Sequence, residues 1–443
     1  TGSMASGVPG ALAAYDHAIS KYGKLKLADI LRPAAEIAEK GFSIDQNYAR
    51  KLVAHASQLK AFPASSAVFL HPDGSVYKAG AKLQQPDLAR TYRSIAEQGV
   101  GWFYRGPFAE STASWMKESG GLITAADFAN YQIKLREPLR TTYRGYEVLG
   151  FPPPSSGGVH VAQLLNMLEE RDLVAMGAKS ADFVHVIAES MKLVFADRAY
   201  WLGDPDFAAV PRGLIDKGYA RSLNKKVSLS TAGTVKSHGT PERAHDDIFG
   251  KHTTHISTAD AEGNWVALTA TINTGFGSKV VVPGTGVVLN NQMDDFSLQS
   301  GVANSFGLLG AEANAIAPGK RPLSSMSPTI VLKDGKPILS TGAAGGPTII
   351  SQTVLTLIYS LDFGMAPKQA LAQPRIHHQW SPDTLKLEDK FGQEVRDTLR
   401  VRGHHLQLMN YFGACQAVAI DSKGRFQGAA DPRVEGKSQV FSE

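Results

Sequence analysis

The stretch from His252 to Asn273 constrains the fold of this 443-residue chain more than any other. Two runs rich in Thr, Ile and Val, Thr254–Ala259 and Trp265–Ile272, flank a short polar loop that contains Gly263. Such runs joined by a short Gly-containing loop are typical of a β-hairpin. The sequence therefore predicts that this part of the chain forms two antiparallel strands.

The two faces of the predicted second strand differ in chemistry, because side chains alternate along a strand. One face carries the hydroxyl and amide groups of Thr269, Thr271 and Asn273. The other face is apolar and comprises Val266, Leu268, Ala270 and Ile272. Thr is a common strand residue, so the pattern alone indicates a half-buried hairpin at a sheet edge and no chemistry.

Helices dominate the prediction for the first part of the chain. Between Gly10 and Ser43 two runs repeat apolar residues at helical spacing, and each run ends at a glycine. Asp87 and the pattern Thr124-x-x-Asp127 indicate the starts of two further helices. This portion is therefore predicted to be mostly helical.

Strands and helices alternate in the prediction for the rest of the chain. Residues 141–151 and 287–293 each indicate one strand, and Asp334–Gly335 indicates a hairpin between two more. Helices are predicted over residues 160–171, 181–201, 348–359 and 367–372. Residues 222–250 are polar and broken by Gly and Pro, which is typical of a mobile surface loop. The alternation predicts helices packed on sheets in layers.

Composition excludes several classes of protein. The chain is 43% hydrophobic and 20% charged, which is ordinary globular composition. Its net charge is +5, but the basic residues are scattered rather than clustered into the stripe that nucleic-acid binding needs. Cys415 is the single cysteine, so no intrachain disulfide can form. No run approaches the ~18 apolar residues of a membrane span.

Several familiar motifs are absent or lack the accompanying residues that their function needs. Ser222-x-x-Lys225 has the spacing of penicillin-recognising enzymes, but no Lys-Thr-Gly accompanies it. His252-x-x-His255 and the pairs at 377–378 and 404–405 have no carboxylate at ligand spacing, so no metal site is expected. The sequence also contains no Gly-x-Ser-x-Gly, which argues against an α/β-hydrolase.

Four polar or Gly-rich clusters remain, all on the C-terminal side of the predicted loop. They lie at residues 253–255, 290–295, 321–327 and 342–346. A threonine hydroxyl needs a base beside it, and an N-terminal threonine can use its own α-amine. Consecutive glycines let backbone N–H groups approach a developing oxyanion. Each cluster on its own is equally typical of a strand start, a turn or a loop.

Taken together and in order, long motifs resemble those of the γ-glutamyltranspeptidase family of N-terminal nucleophile hydrolases. They are PPPSSGG at 152–158, ADRAYWLGDPDF at 196–207, TTH at 253–255, NNQMDDFS at 290–297, KRPLSSMSPTIV at 320–331, GG at 345–346 and PRIHHQW at 374–380. The resemblance spans nearly the whole chain. It implies an α/β fold of the four-layer αββα sandwich type and a chemistry that needs no cofactor and no metal.

The resemblance implies that the chain cuts itself between His252 and Thr253 by an N-to-O acyl shift. Residues 1–252 would form the mostly helical large-subunit part and residues 253–443 the small subunit, and the two fragments would stay associated as a heterodimer. Thr253 would attack the γ-glutamyl amide of glutathione, and water or an amino acid or dipeptide would accept the glutamyl group. Gly345 and Gly346 would bind the oxyanion, and Thr271 would hydrogen-bond the nucleophile.

The same resemblance implies which residues recognise the glutamyl group. Asn273, Gln292 and Asp295 match residues that bind the α-amino group, and Ser324 and Ser325 match those that bind the α-carboxylate. Because glutaryl substrates of related acylases lack the ammonium, Asp295 favours γ-glutamyl donors.

The sequence departs from the family pattern at one residue and in one segment. Phe306 stands where relatives with a lid commonly carry a Tyr, and a Phe keeps the ring but has no hydroxyl to form a hydrogen bond. The family's N-terminal portion, with an Arg that pairs with the substrate carboxylate, has no counterpart before Thr1, and we expect the working enzyme to possess such a segment.

Three interpretations of the function stay open. The first is an autoprocessed γ-glutamyl hydrolase and transpeptidase, located by resemblance in the periplasm or outside the cell. A glutaryl or cephalosporin acylase on the same scaffold would use the same Thr253. A catalytically silent binding protein would remain one uncut chain. Turnover of γ-glutamyl and glutaryl substrates separates the first two, and an intact mass separates the third.

Overall fold

The computed structural model describes residues 1–241, 255–297, 304, 306–410 and 412–441. The chain divides into two compact units. Unit 1 comprises Thr1–Leu135 and Ile272–Asp294, and unit 2 comprises Arg136–Thr271 and Asp295–Glu443. The predicted scission between His252 and Thr253 lies outside the described residues.

Unit 1 is mostly helical, as predicted. Its helices are α1 (Ala11–Tyr22), α2 (Leu27–Lys40), α3 (Gln46–Lys60), α4 (Pro63–Phe69), α5 (Pro86–Gln98), α6 (Gly101–Tyr104), α7 (Pro107–Glu118) and α8 (Ala125–Ala129). Two short strands, β1 (Phe42–Ser43) and β2 (Lys82–Leu83), pair antiparallel. The predicted capping box is confirmed, since Thr124 Oγ1 accepts from the N–H of Asp127 and the Asp127 carboxylate accepts from the N–H of Thr124. The helix predicted to start at Asp87 begins at Pro86.

Unit 2 contains the larger sheet and the longest helix among the described residues. Its helices are α9 (Gly157–Leu168), α10 (Leu173–Met176), α11 (Ala181–Trp201), α12 (Lys217–Asn224), α13 (Thr348–Leu361), α14 (Pro367–Ala372) and α15 (Gln393–Val401). Its strands are β3 (Leu139–Tyr143), β4 (Tyr146–Gly150), β5 (His255–Ala259), β6 (Trp265–Thr269), β7 (Thr329–Lys333), β8 (Lys336–Ala344), β9 (Ile376–His377), β10 (Leu385–Leu387), β11 (Leu406–Leu408), β12 (Ala414–Ile420) and β13 (Phe426–Ala430). None of the described helices combines the length and the apolar character that crossing a membrane would require.

Six strands of unit 2 form one antiparallel sheet in the order β13-β12-β8-β7-β4-β3. The predicted hairpin at Asp334–Gly335 joins β7 to β8, and both turn residues have positive φ. The prediction of a single strand over residues 141–151 is wrong, because β3 and β4 form a second hairpin that turns at Arg144–Gly145. Both of these residues also have positive φ, 49° and 83°, as a two-residue turn between twisted strands requires.

Residues 287–293, predicted as a strand, form no regular strand. They contribute an isolated bridge between Val281 and Val288 and the start of a 3-10 turn at Gln292–Asp295. The predicted helices over residues 181–201 and 367–372 have the predicted bounds, and the one predicted from 348 extends to Leu361.

The two faces of β8 separate the layers of unit 2. Leu339 and Ala343 belong to the hydrophobic core that includes residues of α9, α11 and α13. Ser340 and Gly342, which alternate with them, face the β5–β6 hairpin on the opposite side. Helices, the six-stranded sheet and the hairpin therefore form successive layers, which confirms the predicted packing of helices on sheets.

Candidate active site

The β5–β6 hairpin packs on the sheet through its polar face. His255 is buried, and its ring nitrogens lie 3.0 Å from Thr269 Oγ1 and 2.8 Å from Ser257 Oγ. Ser340 on β8 donates to Ser257 Oγ at 2.9 Å. Ile256 and Val266 on the other face are each 50% exposed. The polar groups can be buried because they satisfy one another's hydrogen bonds.

His255 also fixes the direction in which the hairpin meets β8. Its ring lies against Gly342, so closely that a Cβ at position 342 would come within 2.5 Å of Nδ1. Ser257 contacts Ser340, so falling numbers along β5 match rising numbers along β8. Burial lowers the pKa of His255 to about 3, and the ring is therefore neutral at pH 7. The predicted nucleophile, Thr253, and its neighbour Thr254 lie outside the described residues.

The glycine pair follows directly after β8, at the turn into α13. Gly345 and Gly346 have φ angles of 141° and 60°, which other residues rarely adopt. The carbonyl of Gly345 accepts from Thr348 Oγ1 at 2.8 Å, and that of Gly346 accepts from the N–H of Ile349 at 3.1 Å. Because C=O and N–H point in opposite directions across a trans peptide, the N–H of Gly346 faces away from Thr348.

The predicted lid residue lies against this pair. A Cβ at Gly346 would be 2.9 Å from Cδ1 of Phe306, so the phenyl ring covers that glycine. The backbone N–H of Phe306 donates to Asn304 Oδ1 at 3.0 Å, and Gln379 Nε2 donates to the carbonyl of Gly307 at 3.0 Å. The ring contact is therefore supported on both sides by side-chain amides.

A second group of predicted residues meets around a buried arginine that sequence reasoning missed. Arg198 of α11 donates from Nε to Ser156 Oγ at 3.0 Å and from Nη2 to Ser325 Oγ at 3.2 Å. Ser156 in turn donates to the carbonyl of Ser324 at 2.7 Å. Arg198 lies in a motif that carried the family resemblance, but its partners are 42 and 127 residues away in sequence. Only the fold reveals its position.

Asp295 belongs to the same group. Burial lowers the pKa of Arg198 to about 10, and the carboxylate of Asp295 opposes that shift, so the two charges interact. Asn314, also missed, connects them to the serines: its Nδ2 donates to the carbonyl of Asp295 at 2.9 Å and its Oδ1 accepts from the N–H of Leu323 at 2.8 Å. Asp295, predicted to bind an ammonium, and Ser324 and Ser325, predicted to bind a carboxylate, are thus held together.

Asn273 and Gln292 belong to unit 1. The predicted alternation that placed Thr269, Thr271 and Asn273 on one strand face is wrong, because β6 ends at Thr269 and Asn273 has a φ of 78°. Asn is one of the residues that tolerates this left-handed conformation. Asn273 Nδ2 donates to the carbonyl of Asn291 at 3.0 Å, which places it beside the segment that carries Gln292.

The segment predicted as a mobile loop is anchored over much of its described part. Residues 217–224 form α12, and α11 then binds the backbone that follows it. Glu189 accepts from the N–H of Gly233 at 2.8 Å, Lys192 donates to the carbonyl of Gly233 at 3.1 Å, and Asp197 accepts from the N–H of Gly239 at 2.7 Å. Composition indicated the polarity of this segment correctly but not its anchoring.

One cluster has ligand types that a metal could use. Single ligand atoms of His185, Glu189 and His404 all lie within 4.8 Å of one another. The ring atoms His185 Nδ1 and His404 Nε2 are 2.8 Å apart and hydrogen-bonded, however, and the Lys192 ammonium lies 2.9 Å from Glu189 Oε1. Because a cation already neutralises the carboxylate, the cluster fits an anchor for residues 228–233 better than a divalent metal site.

Comparisons with known proteins identify the scaffold. The family model for γ-glutamyltranspeptidase matches residues 1–441. A glutathione hydrolase proenzyme of Escherichia coli K12 is 41% identical, over 98% of this chain and 74% of that protein. The acylase ACY 1 proenzyme of Pseudomonas sp. SE83 is 37% identical, over 100% of this chain and 76% of that protein.

The solved structures give the same result. The crystal structure of cephalosporin acylase from Bacillus halodurans superposes with a TM-score of 0.90 at 29% identity, over 100% of this chain and 79% of that one. This match confirms the expected αββα fold class of the N-terminal nucleophile hydrolases. The chain belongs to the γ-glutamyltranspeptidase family.

Proposed function

We propose that this family member cuts itself before Thr253 and then hydrolyses or transfers γ-glutamyl groups through that residue. The observation that carries the proposal is the register of β5 on β8: His255 packs on Gly342, three residues before Gly345. Two residues of chain span at most about 7 Å, which limits how far Thr253 lies from His255. Extending the register toward lower numbers leads in the direction of the glycine pair.

In the proposed maturation, Thr253 Oγ attacks the carbonyl carbon of His252 and the peptide nitrogen becomes the α-amine of Thr253. Water then hydrolyses the resulting ester, which frees the hydroxyl and leaves a carboxylate on His252. The products would be fragments 1–252 and 253–443, which stay associated as a heterodimer. The pairing of β4 with β7 and the bond from Arg198 to Ser325 support continued association, because each joins residues on opposite sides of the scission.

In the proposed reaction, Thr253 Oγ attacks the γ-carbonyl of the donor while the α-amine of Thr253 takes the hydroxyl proton. That proton passes to the departing amine as the γ-glutamyl ester forms. The N–H groups of Gly345 and Gly346 would bind the oxyanion, each contributing about 3 kcal/mol. Water or an amino acid or dipeptide then takes the glutamyl group. Thr271 would hydrogen-bond the nucleophile.

The donor's amino-acid end would be recognised by the group around Arg198. Asp295 would pair with the α-ammonium, and Ser324 and Ser325 would donate to the α-carboxylate. Because Arg198 can only donate, Ser325 Oγ accepts from it at 3.2 Å and keeps its own proton for the substrate. The positive charge behind the serines also favours an anion.

An acylase that takes glutaryl substrates is the second candidate, and the close superposition on a cephalosporin acylase favours it. A glutaryl group has no ammonium, so it would not form the ion pair that Asp295 offers a γ-glutamyl donor. Rates with γ-glutamyl-p-nitroanilide and glutaryl-p-nitroanilide separate the two functions. We expect the γ-glutamyl compound to be preferred, and we propose a periplasmic or secreted location.

Replacing Thr253 with Ala tests the nucleophile. We expect T253A to remain a single chain without turnover, because both steps need the same hydroxyl. A catalytically silent binding protein would instead be uncut in its wild-type form, and a T253A variant that still matures would place the nucleophile elsewhere.

A further inference from the structure

Gln352 lies one turn into α13, directly behind the glycine pair, and its side chain is almost completely buried. Its Nε2 faces three acceptors, the carbonyls of Phe412 at 2.6 Å and Ala344 at 3.1 Å and the hydroxyl of Thr348 at 3.0 Å, which its two hydrogens serve. A buried primary amide that binds two backbone carbonyls ties together the segments that carry them. Here those segments are the end of β8 and the residues that lead into β12.

The orientation of the Gln352 amide is settled by Arg375. Arg375 Nη1 lies 2.8 Å from Gln352 Oε1, and a guanidinium can only donate. The oxygen of Gln352 must therefore face Arg375, so its NH2 group must face the carbonyls. Arg375 is itself held by an ion pair with the buried carboxylate of Asp431 and donates to the carbonyl of Gly413 at 3.3 Å.

These bonds fix the direction of the N–H groups that the proposed reaction needs. In a trans peptide the N–H points opposite to the C=O. Gln352 holds the carbonyl of Ala344, so the N–H of Gly345 is turned to the other side. Thr348 Oγ1 lies 2.8 Å from the carbonyl oxygen of Gly345 and 2.5 Å from that of Phe412, and its single proton serves both positions. The carbonyl of Gly345 therefore faces Thr348, and the N–H of Gly346 faces the other way. Both amides therefore point away from α13.

The surroundings leave little room for another arrangement of this loop. A Cβ at Gly345 would lie 2.6 Å from Thr348 Oγ1 and 2.8 Å from the carbonyl of Phe412. A Cβ at Gly413 would lie 2.0 Å from the carbonyl of Ala344. Glycines at these positions allow the two strands to approach closely enough for one glutamine to reach both.

We propose that Gln352, oriented by Arg375, is a positioning residue that aims the N–H groups of Gly345 and Gly346 at the oxyanion. The inference rests on the proposed function, because it needs the glycine pair to be the oxyanion site. Gln352 itself does not touch the substrate. Its loss should therefore weaken stabilisation of the transition state and leave binding of the glutamyl group, which the Arg198 group performs, nearly unchanged.

The test compares Gln352→Met with Ser351→Ala, using γ-glutamyl-p-nitroanilide. Ser351 is the neighbouring buried residue, and its Oγ lies 2.6 Å from His377 Nδ1 rather than near the glycine loop. Both variants lose buried hydrogen bonds, so both should have a lower Tm. We expect only Q352M to lose kcat, by about 10- to 100-fold, with KM within about twofold of wild type.

A second variant keeps the test decisive if Q352M does not fold. Thr348→Val removes the hydroxyl that contacts Gln352 Nε2 and the carbonyls of Gly345 and Phe412, and Thr348→Ser restores it. We expect T348V to lose kcat selectively and T348S to recover it. An unchanged kcat in Q352M, or in T348V where Q352M does not fold, would overturn the inference while the proposed function stands. A wild-type protein without γ-glutamyl turnover would overturn both.

Discussion

At the scale of single residues, Arg198 does the most to relate this chain to the chemistry of its family. A guanidinium without contact to bulk water must find its partners inside the protein. Here they are the hydroxyls of Ser156 and Ser325 and the charge of Asp295. In the proposed function, the substrate carboxylate would therefore bind neutral hydroxyls that have a positive charge behind them.

Replacing Arg198 with Met should raise KM for γ-glutamyl donors about 10- to 100-fold, because a hydrogen bond to a charged group contributes about 1.5–3 kcal/mol. We expect kcat to change much less, since the glycine pair is untouched. Steady-state kinetics that separate KM from kcat provide the measurement. Arg198→Lys is the matched control. It keeps the charge but not the planar guanidinium that donates to two hydroxyls, so it should recover part of the affinity. A loss confined to kcat would contradict the role.

Replacing Asp295 with Asn should change which donor is accepted. We expect kcat/KM for γ-glutamyl-p-nitroanilide to fall at least about 100-fold, since the donor's ammonium loses its counter-ion. The rate with glutaryl-p-nitroanilide, which has no ammonium, should change by less than about threefold. Equal losses with both substrates would show that Asp295 supports the fold rather than the choice of donor.

At the scale of elements, the proposed function depends on the seam between the β5–β6 hairpin and β8, because β5 begins two residues after Thr253 in sequence. The hairpin presents hydroxyls and an imidazole to the sheet and leaves Ile256 and Val266 exposed. Its placement depends on hydrogen bonds between side chains and on the close contact of His255 with Gly342. Displacing the hairpin should therefore affect maturation as well as stability.

The variant Gly342→Ala tests that seam. The added Cβ would approach His255 Nδ1 to 2.5 Å and push the hairpin away from β8. We expect scission to slow at least about tenfold and the free energy of unfolding to fall by about 1–3 kcal/mol, as overpacking does. Gly101→Ala is the control, because only Arg105 Nη2, at 3.9 Å, lies near its Cβ. A G342A chain that matures at the wild-type rate would contradict the account.

The elements also show what sequence reasoning can and cannot predict. The bounds of α11 follow from local periodicity and end signals, and the hairpin of β7 and β8 follows from Asp334–Gly335. The turn at Arg144–Gly145 was missed because Arg rarely adopts the positive φ that it has here. The predicted strand alternation failed because β6 ends at Thr269, and Asn273 further along the chain has a positive φ.

The sequence predicted those residues of the candidate site that lie next to one another in a motif. The family motifs identify Ser324, Ser325, Gly345 and Gly346 as contiguous pairs. Arg198 and Gln352 were not predicted to act at the site, because their partners are distant in sequence. Arg198 bonds to Ser156 and Ser325, which are 42 and 127 residues away, and Gln352 bonds to Phe412, which is 60 residues away. No local pattern distinguishes such residues from other buried polar groups.

At the scale of the whole molecule, buried histidines should make stability depend on pH. Burial lowers the pKa values of four histidines of unit 2 to about 3: His160, His255, His377 and His404. In the unfolded chain these histidines bind protons as the pH falls below about 6.5, whereas in the folded chain they do not until the pH is about 3. Their contribution to stability is therefore present above pH 6.5 and is lost as the pH falls toward 3.

The corresponding measurement is the Tm between pH 8 and pH 4. We expect Tm to decline below about pH 6.5. Each buried histidine should add up to about 1.4 kcal/mol per pH unit to the slope of the free energy of unfolding against pH. His377→Gln removes one such group away from the glycine loop and should make the decline shallower. A Tm that stays constant from pH 7 to pH 4 would contradict the burial of neutral histidines.

The central claim is that scission gives Thr253 a free α-amine, which then acts as the base for its hydroxyl. Mass spectrometry after labelling tests this claim most directly. The purified protein is treated with a glutamate-analogue affinity label, and the masses of the intact chains and of their N-terminal peptides are measured. We predict two chains that meet at His252 and Thr253, with one label on the N-terminal Thr253 of the shorter chain. A single uncut chain, or a label on any other residue, would contradict the claim.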